Sequence, residues 1–249
     1  MILAILVGNT RTVAAHMEGL KVLRRKIVAT PSLRSKSAAI RWARVLRRSA
    51  RCEGILIASV VPPADPILKR SLRSVFGMTP EFVRLGRDIG IKVKVKKPFQ
   101  VGADRLANAV AARELLGMPS IVVDYGTGTT FDVVDRKGAY CGGAILPGLG
   151  ISLRALNDFT AKIPLVKFKK VPYAVGRTTE EAVRSGIYHG AIGTTRELLL
   201  RTRRQLGKKA PAVATGGWSW AFRHSGFFHS IEPDLTLKGM ALIWRNLHA

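Results

Sequence analysis

Hydrophobic positions along the chain alternate between two spacings. Ile2–Val7 is an apolar run that stops at Gly8; beyond Asn9-Thr10 a returning strand is expected over Thr12–Ala15, and a third near Lys21–Thr30. Lys36–Ala50 carries Ala39, Ile40, Ala43 and Leu46 at helical spacing, the mark of a helix with one buried face. Gly54–Val61 is continuously apolar and closed by Pro62-Pro63, as in strands covered on both faces of a parallel sheet. A helix over Asp65–Phe76, a strand around Phe82–Leu85 and a helix from Ala103 to about Leu116 complete this half.

From Ile121 the pattern restarts. Ile121–Asp124 reads as an apolar strand, Gly126–Thr130 as a turn and Phe131–Val134 as the return strand. Helices are expected over Ile151–Lys162 and from Thr178 to about Leu206, the latter opened by Thr178 and Glu181 at capping-box spacing. A strand at Ala212–Thr215 runs into Gly216-Gly217, and a last helix begins near Leu235. Ile5–Thr10 and Val123–Thr129 echo each other as apolar strands entering tight turns of glycine and small polar residues. The repeat predicts two similar α/β domains, residues 1–115 and 116–249.

Composition adds two things. The chain of 249 residues is 47% hydrophobic and 23% charged, ordinary for a globular protein with a sizeable core. No apolar run approaches the roughly 20 residues that cross a bilayer, and the opening segment lacks the basic start and cleavage site of a signal peptide. Cys52 and Cys141, without metal-ligand spacing, are expected to be buried thiols in a reducing cytoplasm. The charge is unusual: 41 Lys and Arg face 16 Asp and Glu, a net of +25. It clusters at Arg24-Arg25-Lys26, at Arg41, Arg44, Arg47, Arg48 and Arg51, across Lys92–Lys97, and at Arg201, Arg203, Arg204, Lys208 and Lys209. Such a field attracts nucleic acid or other anions; it is also what a merely solvated basic surface looks like.

Three segments can carry chemistry. The turns at Gly8-Asn9-Thr10 and Gly126-Thr127-Gly128-Thr129 present backbone N–H groups and hydroxyls together, which suits phosphate oxygens; an ordinary hairpin uses the same residues. Gly102-Ala103-Asp104-Arg105 puts an acid and a base at the start of a helix. Asp104 there is a helix cap or a proton acceptor for a substrate hydroxyl, with Arg105 available to an anionic group. The pattern alone leaves both open.

The stretch Val101–Leu156, with its GADR and DYGTGTTFD motifs, resembles the central block of the type III pantothenate kinases. So do IASVVPP (Ile57–Pro63), VGRTTEEAVRSGIYHG (Val175–Gly190), VATGGW (Val213–Trp218) and EPDLTLKGM (Glu232–Met240), in order along nearly the whole chain. The resemblance implies two duplicated actin-like (ribonuclease H-like) domains of the sugar-kinase, heat-shock-ATPase and actin superfamily, with a nucleotide cleft between them. It implies a cytoplasmic homodimer that uses ATP and Mg2+ to phosphorylate pantothenate at its terminal hydroxyl, the first step of coenzyme A synthesis. By motif, Asp104 is the general base, and Gly102, Ala103, Asp104, Arg105 and Thr179 contact pantothenate. Leu6, Val7, Gly8, Asn9, Thr10, Arg11, Thr12 and Val13 form the first phosphate loop, Thr127 contacts ATP, and Asp124 holds a monovalent cation, K+ or NH4+. Gly216-Gly217 fall at the nucleotide end of the cleft.

The chain departs from that family in two places. The first loop of the family begins Asp-x-Gly-Asn-Thr, whereas this chain has Leu6-Val7-Gly8-Asn9-Thr10. Leucine cannot help hold magnesium or the transferring phosphate, and losing such a charge is expected to cost about 3 kcal/mol of barrier, roughly a hundredfold in rate. Where the family has Tyr-x-Asn-Pro, this chain has Val95-Lys96-Lys97-Pro98, so the acceptor itself could differ. A second expectation therefore stands beside the first: an impaired relative that binds ligand or a nucleic-acid partner.

Overall fold

A computed structural model describes residues 1–207 and 210–249; Lys208 and Lys209 of the last basic cluster lie outside the described residues. In chain order the elements are β1 (Ile2–Val7), β2 (Arg11–Glu18), β3 (Lys21–Ala29), α1 (Lys36–Ser49), β4 (Gly54–Ser59), α2 (Asp65–Phe76), β5 (Glu81–Phe82), β6 (Lys92–Val93) and α3 (Ala103–Leu116). They continue with β7 (Ser120–Tyr125), β8 (Gly128–Val134), β9 (Ala139–Pro147), α4 (Leu149–Asp158), α5 (Thr179–Leu206), β10 (Ala212–Thr215), β11 (Ser230–Ile231) and α6 (Leu235–Leu247). These form two compact units, one of residues 1–116, 138–140 and 234–249, the other of 117–137 and 141–233. The C-terminal helix α6 thus groups with the first unit, whereas the sequence division put everything after residue 115 in the second.

The first unit is built on a five-stranded sheet in the order β3-β2-β1-β4-β5. β1 runs antiparallel to β2, with Leu6 opposite Val13, and parallel to β4, with Val7 opposite Ser59. Leu3, Ile5 and Val7 of β1 and Ile55 and Ile57 of β4 pack with Ala39, Ala43 and Leu46 of α1 and Leu68 and Leu72 of α2. That apolar face of α1 follows the spacing read from the sequence, except that Ile40 is only partly covered. α2 begins on Asp65-Pro66, where proline's fixed φ suits a first turn, and ends at Gly77, whose φ of 73° allows the left-handed cap. α3 is buried almost all round, from Leu106 to Ala112. Gly239 of α6 lies against the Ala107 carbonyl, which a Cβ would overlap, and Thr236 donates to buried Asn108 Oδ1 at 2.7 Å.

The second unit holds strands in the order β11-β10-β7-β8-β9. β7 pairs antiparallel with β8, placing Tyr125 opposite Thr129, and parallel with β10, placing Asp124 opposite Thr215. Tyr125 is the pivot of this core: its ring stacks on Phe222 at 3.9 Å and its hydroxyl meets Thr195 Oγ1 at 2.8 Å. Half of the predicted capping box forms at α5, where Glu181 N–H donates to Thr178 Oγ1 at 3.2 Å, while the Glu181 carboxylate accepts from the N–H of Arg177, one residue before the cap, at 2.8 Å.

Two expectations are corrected. Cys141 is exposed and Cys52 half-covered, because β9 sends alternate residues outward from Cys141 onward. β9 itself was unforeseen: Gly142-Gly143 interrupts the residues that would mark a strand. Among the described residues, no helix is long and apolar enough to cross a membrane.

Candidate active site

The first loop is a turn between two paired strands, and its shape is imposed from below. Gly8 N–H donates to the Arg11 carbonyl at 3.1 Å, and the Gly8 carbonyl accepts from Thr30 Oγ1 at 2.6 Å. Thr30 is buried, as is Thr12, and their hydroxyls meet at 2.9 Å. Thr30 N–H closes the other side on the Thr10 carbonyl at 3.1 Å. The Val7 carbonyl is taken by Val60 N–H at 3.0 Å. Val7 and Thr12 are sealed in the core, so their side chains are closed to a ligand, while Asn9, Thr10 and Arg11 are exposed and Gly8 and Val13 half-covered. Leu6 is the one partly open position of β1, between fully buried Ile5 and Val7. Thr30 was missed in the sequence because its role arises only when the end of β3 returns beneath the turn.

In the same unit, Asp104 stands in the first turn of α3. Its Oδ1 accepts Arg105 N–H at 2.8 Å, which satisfies one of the free donors of the first turn from within the helix. Burial pushes its carboxyl above the ordinary 3.8, against the opposing pull of the Arg105 N–H and guanidinium. Gly102 has no room for a side chain: a Cβ there would come within 2.5 Å of Asp104 Oδ1 and 3.3 Å of Val60 Cγ1. The Arg105 guanidinium lies over the ring of buried Tyr140, 5.8 Å from its centre, a cation–π arrangement that orients it. Ala103 is buried. Val95 is half-covered, and Lys96 and Lys97 are exposed just before the turn at Pro98–Gln100.

The second unit carries the other loop. Gly126 N–H donates to the Gly128 carbonyl at 3.0 Å, closing the turn that presents half-covered Thr127. Gly148, before α4, approaches so closely that a Cβ would collide with the Gly126 and Thr127 carbonyls; a Gly in Leu146-Pro147-Gly148 gives no such signal in the sequence. Half-covered Asp124 is the last residue but one of β7, and Gly216, at φ 87°, is pressed against its Oδ1. The Gly216-Gly217 segment is also tied to β7 through Trp218 N–H, which donates to the Tyr125 carbonyl at 3.0 Å. Tyr125 and Thr129 line a cavity of about 230 Å³ together with Ser152, Gly186 and Gly190. Thr179 is exposed at the first position of α5, the cap being made by Thr178. Among the described residues no three His, Cys, Asp or Glu side chains gather as a metal-binding group.

Residues 2–201 match the family model of the type III pantothenate kinases. The chain belongs to that family. It is 39% identical to the type III pantothenate kinase of Thermomicrobium roseum, covering 100% of this chain and 98% of the relative. It is 36% identical to that of Myxococcus xanthus over the full length of both. Among solved structures, a Baf family protein from Campylobacter jejuni superposes with a TM-score of 0.61 at 18% identity, covering 99% of this chain and all of that one. The activator of 2-hydroxyisocaproyl-CoA dehydratase from Clostridium difficile does so at 0.53 and 8% identity, covering 100% and 93%. At such identities the likeness speaks for the fold alone, the actin-like α/β architecture expected from the sequence.

Proposed function

We propose that the chain transfers the γ-phosphoryl group of ATP to the terminal hydroxyl of pantothenate, making phosphopantothenate in the cytoplasm as the first step of coenzyme A synthesis. Membership of the type III family supports the reaction, and the setting of Asp104 is the observation that carries it to residues. A carboxyl held above its ordinary range by burial is suited to accept a proton during catalysis. As the hydroxyl oxygen bonds to the γ-phosphorus, the bond to the β-phosphate oxygen breaks and the hydroxyl proton passes to Asp104. Arg105, oriented by Tyr140, pairs with the carboxylate of pantothenate. Gly102 and Ala103 supply backbone, and exposed Thr179 supplies a hydroxyl.

ATP is bound by the backbone of Leu6–Val13, with Asn9, Thr10 and Arg11 as the side chains open to it, and by Thr127. Hard cations prefer oxygen donors, and the half-covered Asp124 carboxylate offers one for K+ or NH4+. Position 6 offers none, so Mg2+ would be held by the nucleotide phosphates and water, and such ions would supply charge neutralisation for the transferring group. Ile145, Phe159, Leu165 and Val175, 63–88% exposed in the second unit, are apolar surface that a homodimer would cover.

The test is phosphopantothenate formation by purified protein, dependent on both ATP and pantothenate, with and without potassium or ammonium. ATP consumption with another hydroxyl compound but not pantothenate would transfer the proposal to a different acceptor. Leu6 favours a second reading, a family member that binds these ligands with little turnover.

A further inference from the structure

On the basic surface of the first unit a groove opens, apart from every residue assigned to the kinase reaction. Between Glu18 and Glu53 the chain carries eleven Lys and Arg and no Asp or Glu; between Asp65 and Glu81 it carries Lys69, Arg70 and Arg73 and again no acid. These stretches contain α1 and α2, which pack together through Ala39, Ala43, Leu46, Leu68 and Leu72. On their outer side a groove of about 390 Å³ opens, lined by Ile40, Arg44, Arg47 and Arg48 of α1 and Ser74 and Val75 of α2. Arg47 is set over the Phe76 ring, 5.9 Å from its centre. Elsewhere in the protein arginines take the carboxylates within reach: Arg25 pairs with Asp234, Arg87 with Glu81, Arg184 with Glu180, and Arg201 with Glu197. Among the described residues, none of the three groove arginines has an ion pair.

We propose that this α1–α2 groove is a binding site for single-stranded nucleic acid. Three guanidinium groups, exposed and without a protein counter-charge, fit phosphodiester oxygens, which they can bind through paired N–H donors. Ile40 and Val75 add half-covered apolar lining to the groove, and the planar guanidinium groups can stack on unpaired bases as well as pair with phosphates. The groove is of a size for one splayed nucleotide, whose unpaired base can reach its apolar side chains, whereas the bases of a duplex are paired and out of reach. Arg41 and Arg51 extend the charge along the same helix and just beyond its end, so a strand can continue past the groove. A purely solvated basic helix would carry the same charge without a groove lined in part by apolar side chains.

The test is fluorescence anisotropy of a labelled oligouridylate titrated with the full chain over a range of salt, using three proteins. These are the unaltered protein, Arg44→Gln/Arg47→Gln/Arg48→Gln, and a charge-matched control, Lys167→Gln/Lys169→Gln/Lys170→Gln in the second unit. The groove variant is expected to bind at least tenfold more weakly. Its slope of log affinity against log salt should be shallower by about 2, as three lost phosphate contacts to a single strand require. The control should stay within about twofold of the unaltered protein, a margin of less than half a kcal/mol. Thermal melting shows that each variant is folded. Equal losses in both variants would reduce the effect to net charge and overturn the site; so would no binding by the unaltered protein, or tighter binding of a duplex of equal length.

Discussion

Gly102 is held against Asp104: its missing side chain is the space that the Asp104 carboxylate occupies, with the Val60 side chain closing the other side. The glycine of the GADR motif is thus accounted for by packing, whatever backbone contact it also makes. Gly102→Ala should fold, because one methyl in a half-covered turn can be absorbed by moving Asp104. That movement displaces the base, so kcat should fall by about tenfold or more while KM for pantothenate changes much less. An alanine variant with unaltered kcat would remove Asp104's position from the account.

The acid limb of the pH–rate profile should report the same carboxyl. A general base works when deprotonated, and burial raises Asp104 above the ordinary 3.8. Activity should therefore climb with pH through a midpoint above that value, once far-ultraviolet circular dichroism has shown the protein folded throughout. A kcat/KM that is flat on the acid side down to the ordinary aspartate range would contradict this.

His16 gives a second pH effect, unrelated to catalysis. It lies in β2 at 2% exposure, its Nε2 has no hydrogen-bond partner, and burial, with a smaller push from Arg24, lowers its pKa below 6.5 against a hydrogen bond at Ala50 that raises it. Below 6.5 the unfolded chain takes a proton that the folded one resists, so stability falls as pH drops through the folded pKa and is unaffected above 6.5. Melting temperature against pH should be flatter for His16→Leu than for the unaltered protein in that acid range. Parallel curves would show that His16 is not the titrating group.

Much of this architecture was legible because local and tertiary preferences agree. α2 is bracketed by Asp65-Pro66 and Gly77, and β1 and β4 are apolar throughout since both lie inside a sheet. GADR and the two glycine turns were legible as motifs. What was hidden depends on distant parts of the chain meeting: Thr30 beneath the first loop, Gly148 against the second, Tyr140 under Arg105, and α6 joined to the first unit through Gly239 and Ala107. None has a periodicity of its own.

Leu6 separates a slow enzyme from one that has lost turnover. Its position is half-covered rather than sealed, which lowers the burial cost that an acid would meet inside an apolar strand. Leu6→Asp should raise turnover by about tenfold to a hundredfold, the scale of one regained electrostatic contact, and magnesium-ATP should raise its melting temperature. A folded variant with neither ligand stabilisation nor turnover would favour the second reading, a ligand-binding relative.

The most direct measurement is steady-state phosphopantothenate formation by Asp104→Asn beside the unaltered protein. Asparagine keeps the size and hydrogen bonding of the residue but cannot accept the proton, so kcat should fall by at least about a hundredfold with KM for pantothenate little changed. A carboxylate whose folded pKa is raised weakens the fold at neutral pH, so the variant should melt no lower than the original, which excludes misfolding as the cause. If kcat instead stays within about threefold, a difference under 1 kcal/mol, Asp104 is not the base and the proposed mechanism fails.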